Sequence, residues 1–120
     1  NVRLDIDLEL SSFQITPDFL ARLKKLAPFG MGNPEPTLLI RGVRVDEVRL
    51  VGNGEKHLKM SFQTENGKFS GIGFGMGPLW GDLRKGERVD VVFHLEENRW
   101  NGSSRLEWRI IDICREEEYN

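Results

Sequence analysis

Apolar and charged residues alternate from Val2 to Leu10 (VRLDIDLEL), the period of a strand with one buried face. No run nearby offers this strand a partner, so it is expected to belong to the sheet of a preceding domain. The period then changes. Phe19, Leu20, Leu23 and Leu26 form one stripe at helical spacing, with Arg22, Lys24 and Lys25 mostly off it. Thr16 is placed to cap this helix, Pro17 suits its first position, and Asp18 sits at the positive end of the dipole. Pro28 stops it, because the residue before a proline is driven out of the α region. Residues 28–36 read PFGMGNPEP, three prolines and two glycines in nine residues. Fixed φ angles and permissive glycines predict a defined connector, with Gly30 or Gly32 at positive φ and Phe29 and Met31 pinning it down.

Beyond the connector the period becomes that of strands. The runs are Thr37–Val51, His57–Thr64, Lys68–Phe74, Arg88–Glu97 and Arg105–Ile113. The first is long, and its alternation slips near Gly42 and again near Asp46–Glu47, which predicts a bulged, curved strand. Asn53-Gly54, Asn66-Gly67 and Asn101-Gly102 are hairpin signals. The Gly75–Gly86 gap carries Pro78, Leu79, Trp80 and Leu83, enough for a short helix or capped turn. With Asn101-Gly102 as a two-residue loop, Leu95 faces Trp108 and Phe93 faces Ile110, a clean inside–outside split. The same loop at Asn66-Gly67 would set Phe62 and Met60 opposite glycines. A three-residue loop Glu65-Asn66-Gly67 instead sets Met60 opposite Ile72 and Leu58 opposite Phe74, and is preferred because one residue of register flips every side chain.

This order predicts a mainly β chain: an OB-fold, the five-stranded Greek-key barrel, with a short helix between its third and fourth strands, preceded by one strand and one α-helix. An SH3-like barrel is the alternative, but it normally lacks that helix. The barrel should close over Val43, Leu58, Met60, Phe62, Ile72, Val91, Phe93, Trp108 and Ile110, with residues 4–26 outside it. At 120 residues the chain is one domain with a piece of another: 1–27 the tail of a preceding domain, 28–36 the connector, 37–115 the barrel and 116–120 an acidic tail. It begins at Asn1, so it is read as part of a longer protein.

Charge changes the picture only locally. The net charge is −2, with acidic residues crowded at both ends. Residues 37–113 hold 12 Lys+Arg against 11 Asp+Glu, so a basic surface must be a patch. The single Cys114 rules out a disulfide framework and suits the reducing cytoplasm. No apolar run reaches membrane-spanning length. Catalytic constellations are missing as well. His57 and His94 have no second His or Cys at ligand spacing. Residues 71–77 (GIGFGMG) are glycine-rich but lack the Gly-Lys-Ser/Thr of a phosphate loop. Glu96 and Glu97 are adjacent in a strand and point to opposite faces. No metal site and no catalytic residue is expected here.

Binding is better supported. OB-folds bind along the second and third strands, framed by the first loop and the loop between the last two strands. The outward face of the second strand carries His57, Lys59, Ser61 and Gln63, and the three-residue turn would add Phe69. The first loop offers Lys56. The last hairpin offers Arg99 and Trp100, with Arg105 across from Asn98. Aromatics among cations are what a single-strand binder needs, for bases stack and cations track phosphates. The same pattern also suits a Trp100 that covers a neighbouring domain, in a barrel that only packs or recruits other proteins.

The segment Pro28–Pro36, after a leucine-rich helix and before a strand, resembles the connector of the RecJ family, bacterial exonucleases specific for single-stranded DNA. Gly54, His57-Leu58-Lys59, Asn98-x-Trp100-x-Gly102 and Asp112-Ile113 continue the resemblance over most of the chain. It implies the OB domain of a cytoplasmic 5′-to-3′ exonuclease acting in DNA repair and recombination. The parent's DHH and DHHA1 domains would carry manganese or magnesium and the catalysis. Single-stranded DNA would be the partner, with single-strand-binding protein as a further one.

Overall fold

The computed structural model describes residues 5–26 and 35–115, with Leu26 and Trp100 described in backbone only. The expectations for Phe29, Gly30, Met31 and Gly32 lie outside the described residues. In chain order the elements are β1 (Leu8–Leu10), α1 (Pro17–Leu26), β2 (Leu38–Val51), a 3-10 turn (Asn53–Glu55), β3 (His57–Thr64), β4 (Gly67–Gly73), a 3-10 helix (Gly77–Asp82), β5 (Arg88–Trp100) and β6 (Ser103–Arg115). The order β2-β3-β4-β6-β5, with β5 pairing back onto β2, closes a five-stranded barrel of OB type. No helix among the described residues is long and apolar enough to cross a membrane.

β2 reaches both sides of the barrel by bending at the two places its sequence slips. Its register shifts between Ile40 and Val43 against β5, and between Val45 and Glu47 against β3. Gly42 takes φ 69° at the first shift. Its N–H donates to Asp90 Oδ1 at 2.8 Å, so the carboxylate of this buried aspartate satisfies a backbone group that the bulge withdraws from the ladder. The interior is filled around Trp108. Phe93 stacks on it at 4.1 Å, Phe62 at 5.2 Å and Phe69 at 5.5 Å between ring centroids.

The β5–β6 hairpin has the predicted register: Leu95 opposite Trp108 and Phe93 opposite Ile110. The β3–β4 hairpin does not. Thr64 pairs with Gly67, so the loop is Glu65-Asn66, and Phe62 faces Phe69 while Met60 faces Gly71. The expected pairs Met60–Ile72 and Leu58–Phe74 are therefore wrong. Phe69 points inward and is buried, Ile72 is half-buried on the outer face, and Phe74 is 58% exposed. The physical reason is closure. β4 meets β6 as a parallel pair at Gly71–Trp108 and Ile72–Arg109. A Cβ on Gly71 would lie 3.1 Å from both Trp108 O and Ile110 Cδ1. Glycine stands at this inward position because the neighbouring strand already fills the space.

The N-terminal segment is also not outside the barrel. β1 pairs in parallel with Leu38–Ile40, an edge of β2 that β3 does not reach. Leu10, Ile15 and Leu20 join the barrel's core cluster. Thr16 Oγ1 caps α1 by accepting from Phe19 N at 2.9 Å, and the apolar stripe of α1 plugs the barrel. Asn66 Nδ2 holds the approach to this helix, donating to the carbonyls of Phe13 at 2.9 Å and Ile15 at 3.0 Å.

Candidate nucleic-acid interface

Outward residues of β3 and β4 form one surface: His57, Lys59, Ser61 and Gln63 beside Lys68, Ser70 and Ile72. Its first end is aromatic. His57 and Phe74 meet edge to face at 5.2 Å. His57 Nδ1 accepts from Gly75 N at 2.8 Å, which leaves Nε2 to carry the proton of the neutral ring. Gly52, at φ +86°, makes room for the imidazole, since a Cβ there would be 2.7 Å from His57 Cδ2. The exposed Lys56 precedes His57, and its carbonyl accepts from Gly77 N at 2.8 Å. A Cβ on Gly77 would sit 2.5 Å from Glu55 O. The 3-10 helix after β4 is thus packed directly beneath the β2–β3 loop and fixes where Lys56 and His57 stand.

The middle of the surface is electrostatically closed. Lys59 Nζ pairs with Glu107, whose side chain is only 10% exposed. Asn98 Nδ2 donates to the other oxygen of Glu107 at 3.0 Å. Lys59 lies on the expected face, but its charge is committed to β6, and it has less to offer a phosphate than its position suggests. At the second end, Lys68 stands 3.4 Å from Asp46, which also accepts from Ser61 Oγ at 2.8 Å. The Ser61 hydroxyl first, and Lys68 after it, hold the Asp46 carboxyl below its ordinary value.

The remaining expected residues lie on the β5–β6 hairpin. Arg99 is exposed and 3.2 Å from Glu97, whose carboxyl is held low chiefly by that hydrogen bond. Arg105 is exposed, opposite Asn98. The backbone of Trp100 pairs with Ser103 at the hairpin end, and its side chain lies outside what is described. Phe69 does not belong to the outer β3–β4 surface; its ring is in the core against Trp108, with only 9% of the residue left exposed on the side of α1. Phe74 takes its place as the exposed ring, and sequence reasoning missed it. Its signal was the adjoining Gly73 and Gly75, which mark a strand end too thin to cover a ring.

Beyond the surface, Arg109 binds Glu35 Oε2 at 2.8 Å and His94 Nδ1 lies 3.0 Å from the same oxygen, anchoring the end of the connector to the barrel. Among the described residues no three His, Cys, Asp or Glu come together to hold a metal ion.

Comparison with known proteins agrees with this architecture. Residues 6–112 match a sequence family described as the RecJ OB domain. The chain is 30% identical over 119 residues to the single-stranded-DNA-specific exonuclease RecJ of Bacillus subtilis, covering 91% of this chain and 15% of that protein. Against the RecJ of Thermus thermophilus it is 33% identical over 106 residues, 86% of this chain and 14% of that one. The crystal structure of RecJ from Thermus thermophilus in complex with Mn2+ superposes with a TM-score of 0.56 over 84% of this chain and 15% of that chain, at 31% identity. Rim1, a mitochondrial single-stranded DNA binding protein of Saccharomyces cerevisiae, superposes with a TM-score of 0.54 at 19% identity, over 68% of this chain and 96% of its own, a likeness of fold alone. The chain spans about 15% of the length of the RecJ proteins it matches.

Proposed function

This chain belongs to the RecJ OB-domain family, and from that membership we propose that it is the single-strand-binding domain of a 5′-to-3′ exonuclease specific for single-stranded DNA. The observation that carries the reading is the aromatic end of the outer β3–β4 surface: a half-exposed Phe74 set against His57, beside the exposed cation Lys56. A base stacks on such a ring and its phosphate meets the cation. Arg99, Trp100 and Arg105 on the β5–β6 hairpin frame the other side, as the loops of an OB-fold do.

In the same proposal residues 1–27 end a preceding domain and dock on the barrel through β1 and α1, 28–36 link it to the barrel at 37–115, and 116–120 form an acidic tail. The DHH and DHHA1 domains of a longer protein hold the manganese or magnesium and cleave the strand. Repair and recombination in the cytoplasm are its setting, with single-strand-binding protein a further partner. In this proposal the chain contributes binding and orientation of the strand.

A second reading, a barrel that packs other domains, is favoured by two further rings that are bare among the described residues, Phe13 at 73% and Trp80 at 48% exposure. An anisotropy titration with a labelled oligonucleotide separates the two. The single-strand reading expects binding at low salt, weaker binding of duplex, and a loss of one to two decades in Phe74→Ala, since stacking on one ring is worth about 1–3 kcal/mol per base. Equal affinity for duplex, or an unaffected Phe74→Ala, rejects it.

A further inference from the structure

A groove runs beside the surface just described, between α1 and the start of β6. Its first hollow, about 460 Å³, is floored by Phe69 and Leu106 and rimmed by Lys68 and Arg105. Its second, about 530 Å³, shares Leu106 and is rimmed by Lys24, Lys25 and Arg99. Five cations therefore border one groove. Three of them are already answered: Glu97 binds Arg99 at 3.2 Å and also attracts Lys24, whose Nζ donates to Leu95 O at 3.2 Å, and Asp46, outside the groove, lies 3.4 Å from Lys68. Like charges gathered this closely along a groove repel one another and are relieved by an anion. Lys25 and Arg105 are exposed and have no carboxylate within ion-pair distance among the described residues.

We infer that this groove is a second segment of the strand-binding path, holding the nucleotides that follow those on the β3–β4 surface. The occupant is fixed by the combination of features. An aliphatic or lipid chain would cover the floor and leave the cations unanswered; an acidic peptide with an apolar side chain would meet both, but it would not continue the strand on the β3–β4 surface, which reaches the groove at Lys68. A nucleotide carries a flat base with an apolar face to lie on the half-buried Leu106, above the edge of Phe69, and an anion at every repeat for Arg105, Lys25 and Arg99. From Pro17 to Lys25 the helix flanking the groove is about 12 Å long. At 3.4 Å or more per nucleotide this admits about three nucleotides. Lys68, between the outer surface and the first hollow, is where the two segments join.

The inference rests on the single-strand reading, and the test keeps the two apart. Anisotropy is measured with labelled oligothymidylates of about 6 and about 15 nucleotides, spanning the site sizes of one such barrel. Lys25→Gln should weaken the longer oligonucleotide about threefold or more and reduce its salt slope by about 0.7, the increment for one phosphate that is no longer neutralised on a single strand. Binding of the shorter one should stay within about twofold, being set by the outer surface. Arg22→Gln is the charge control, because Arg22 lines neither hollow and pairs with Asp18 at 3.2 Å on the exposed side of α1. Equal losses at both lengths, an equal loss in Arg22→Gln, or no loss on the longer strand overturns the groove while leaving the outer surface standing. Failure of the unaltered chain to bind either length overturns the single-strand reading, and the groove with it.

Discussion

Two of the three hairpins of this barrel that carry an Asn-Gly dipeptide use it differently. In β5–β6 the dipeptide is the turn itself, with Asn101 at φ 49° and Gly102 at φ 76°, and the flanking strands pair as alternation requires. In β3–β4 the turn falls one residue earlier, Gly67 opens the strand at φ 122°, and the side chain of Asn66 is engaged by carbonyls of the N-terminal segment. One asparagine is there for its backbone and the other for its amide. A turn dipeptide fixes a register when nothing else claims its side chain, and loses that authority when a distant segment does.

The largest effect that would test this contrast is at Phe69. Removing a buried ring to Ala costs about 3–5 kcal/mol, whereas a residue on the outer surface is usually within about 0.5 kcal/mol of neutral. Chemical denaturation of Phe69→Ala should therefore show one of the largest losses in the chain, and a near-neutral result would restore the three-residue turn. Replacing each asparagine by glycine sharpens the contrast. Asn101→Gly keeps the positive φ and should stay within about 0.5 kcal/mol. Asn66→Gly removes the amide donor and should cost about 1–2 kcal/mol by thermal or urea unfolding. Equal costs would mean that the two turns are alike after all.

The smallest effect is in titration. Ser61→Ala removes the first cause that holds Asp46 low, so its carboxyl should move up toward 3.8, read by carboxyl NMR. A carboxylate held low in the folded state adds stability above its unfolded value, and loses that contribution as pH falls through the folded one. The variant should thus give up that small contribution at neutral pH, and the difference from the parent should fade as pH falls below about 4, where the carboxyl becomes protonated in both states.

Alternation and turn residues were enough to read the OB barrel, the bends of β2, the short helix after β4 and the β5–β6 register, because each is written within a few neighbouring residues. The β3–β4 register was not legible. Matching apolar to apolar across a hairpin presumes that the partner strand fills the interior, and here Gly71 yields that space to β6, far along the chain. The same error moved Phe69 onto the surface and hid Phe74. Partners of β1 were unreadable for a related reason, since three residues in parallel pairing leave no local signature. At the candidate site, Lys56, His57, Arg99 and Arg105 stand on the surface as expected. The commitment of Lys59 to Glu107 depends on β6 arriving beside β3, which no spacing in β3 announces.

The seam between β4 and β6 also sets the order in which the chain can become compact. β2, β3 and β4 can meander together as soon as they exist, but β4 keeps an open edge until β6 docks on it. That seam, with the return of β5 to β2, joins residues widely separated in sequence, so closure costs loop entropy before it gains any packing, and folding should be slow for a domain of this size. During synthesis the three-stranded intermediate presents Gly71–Gly73 as a bare edge with few side chains to discourage pairing with another chain. Lys68 is the one charge on that strand, and the stretch of time before Trp108 arrives is when this barrel is most exposed to aggregation.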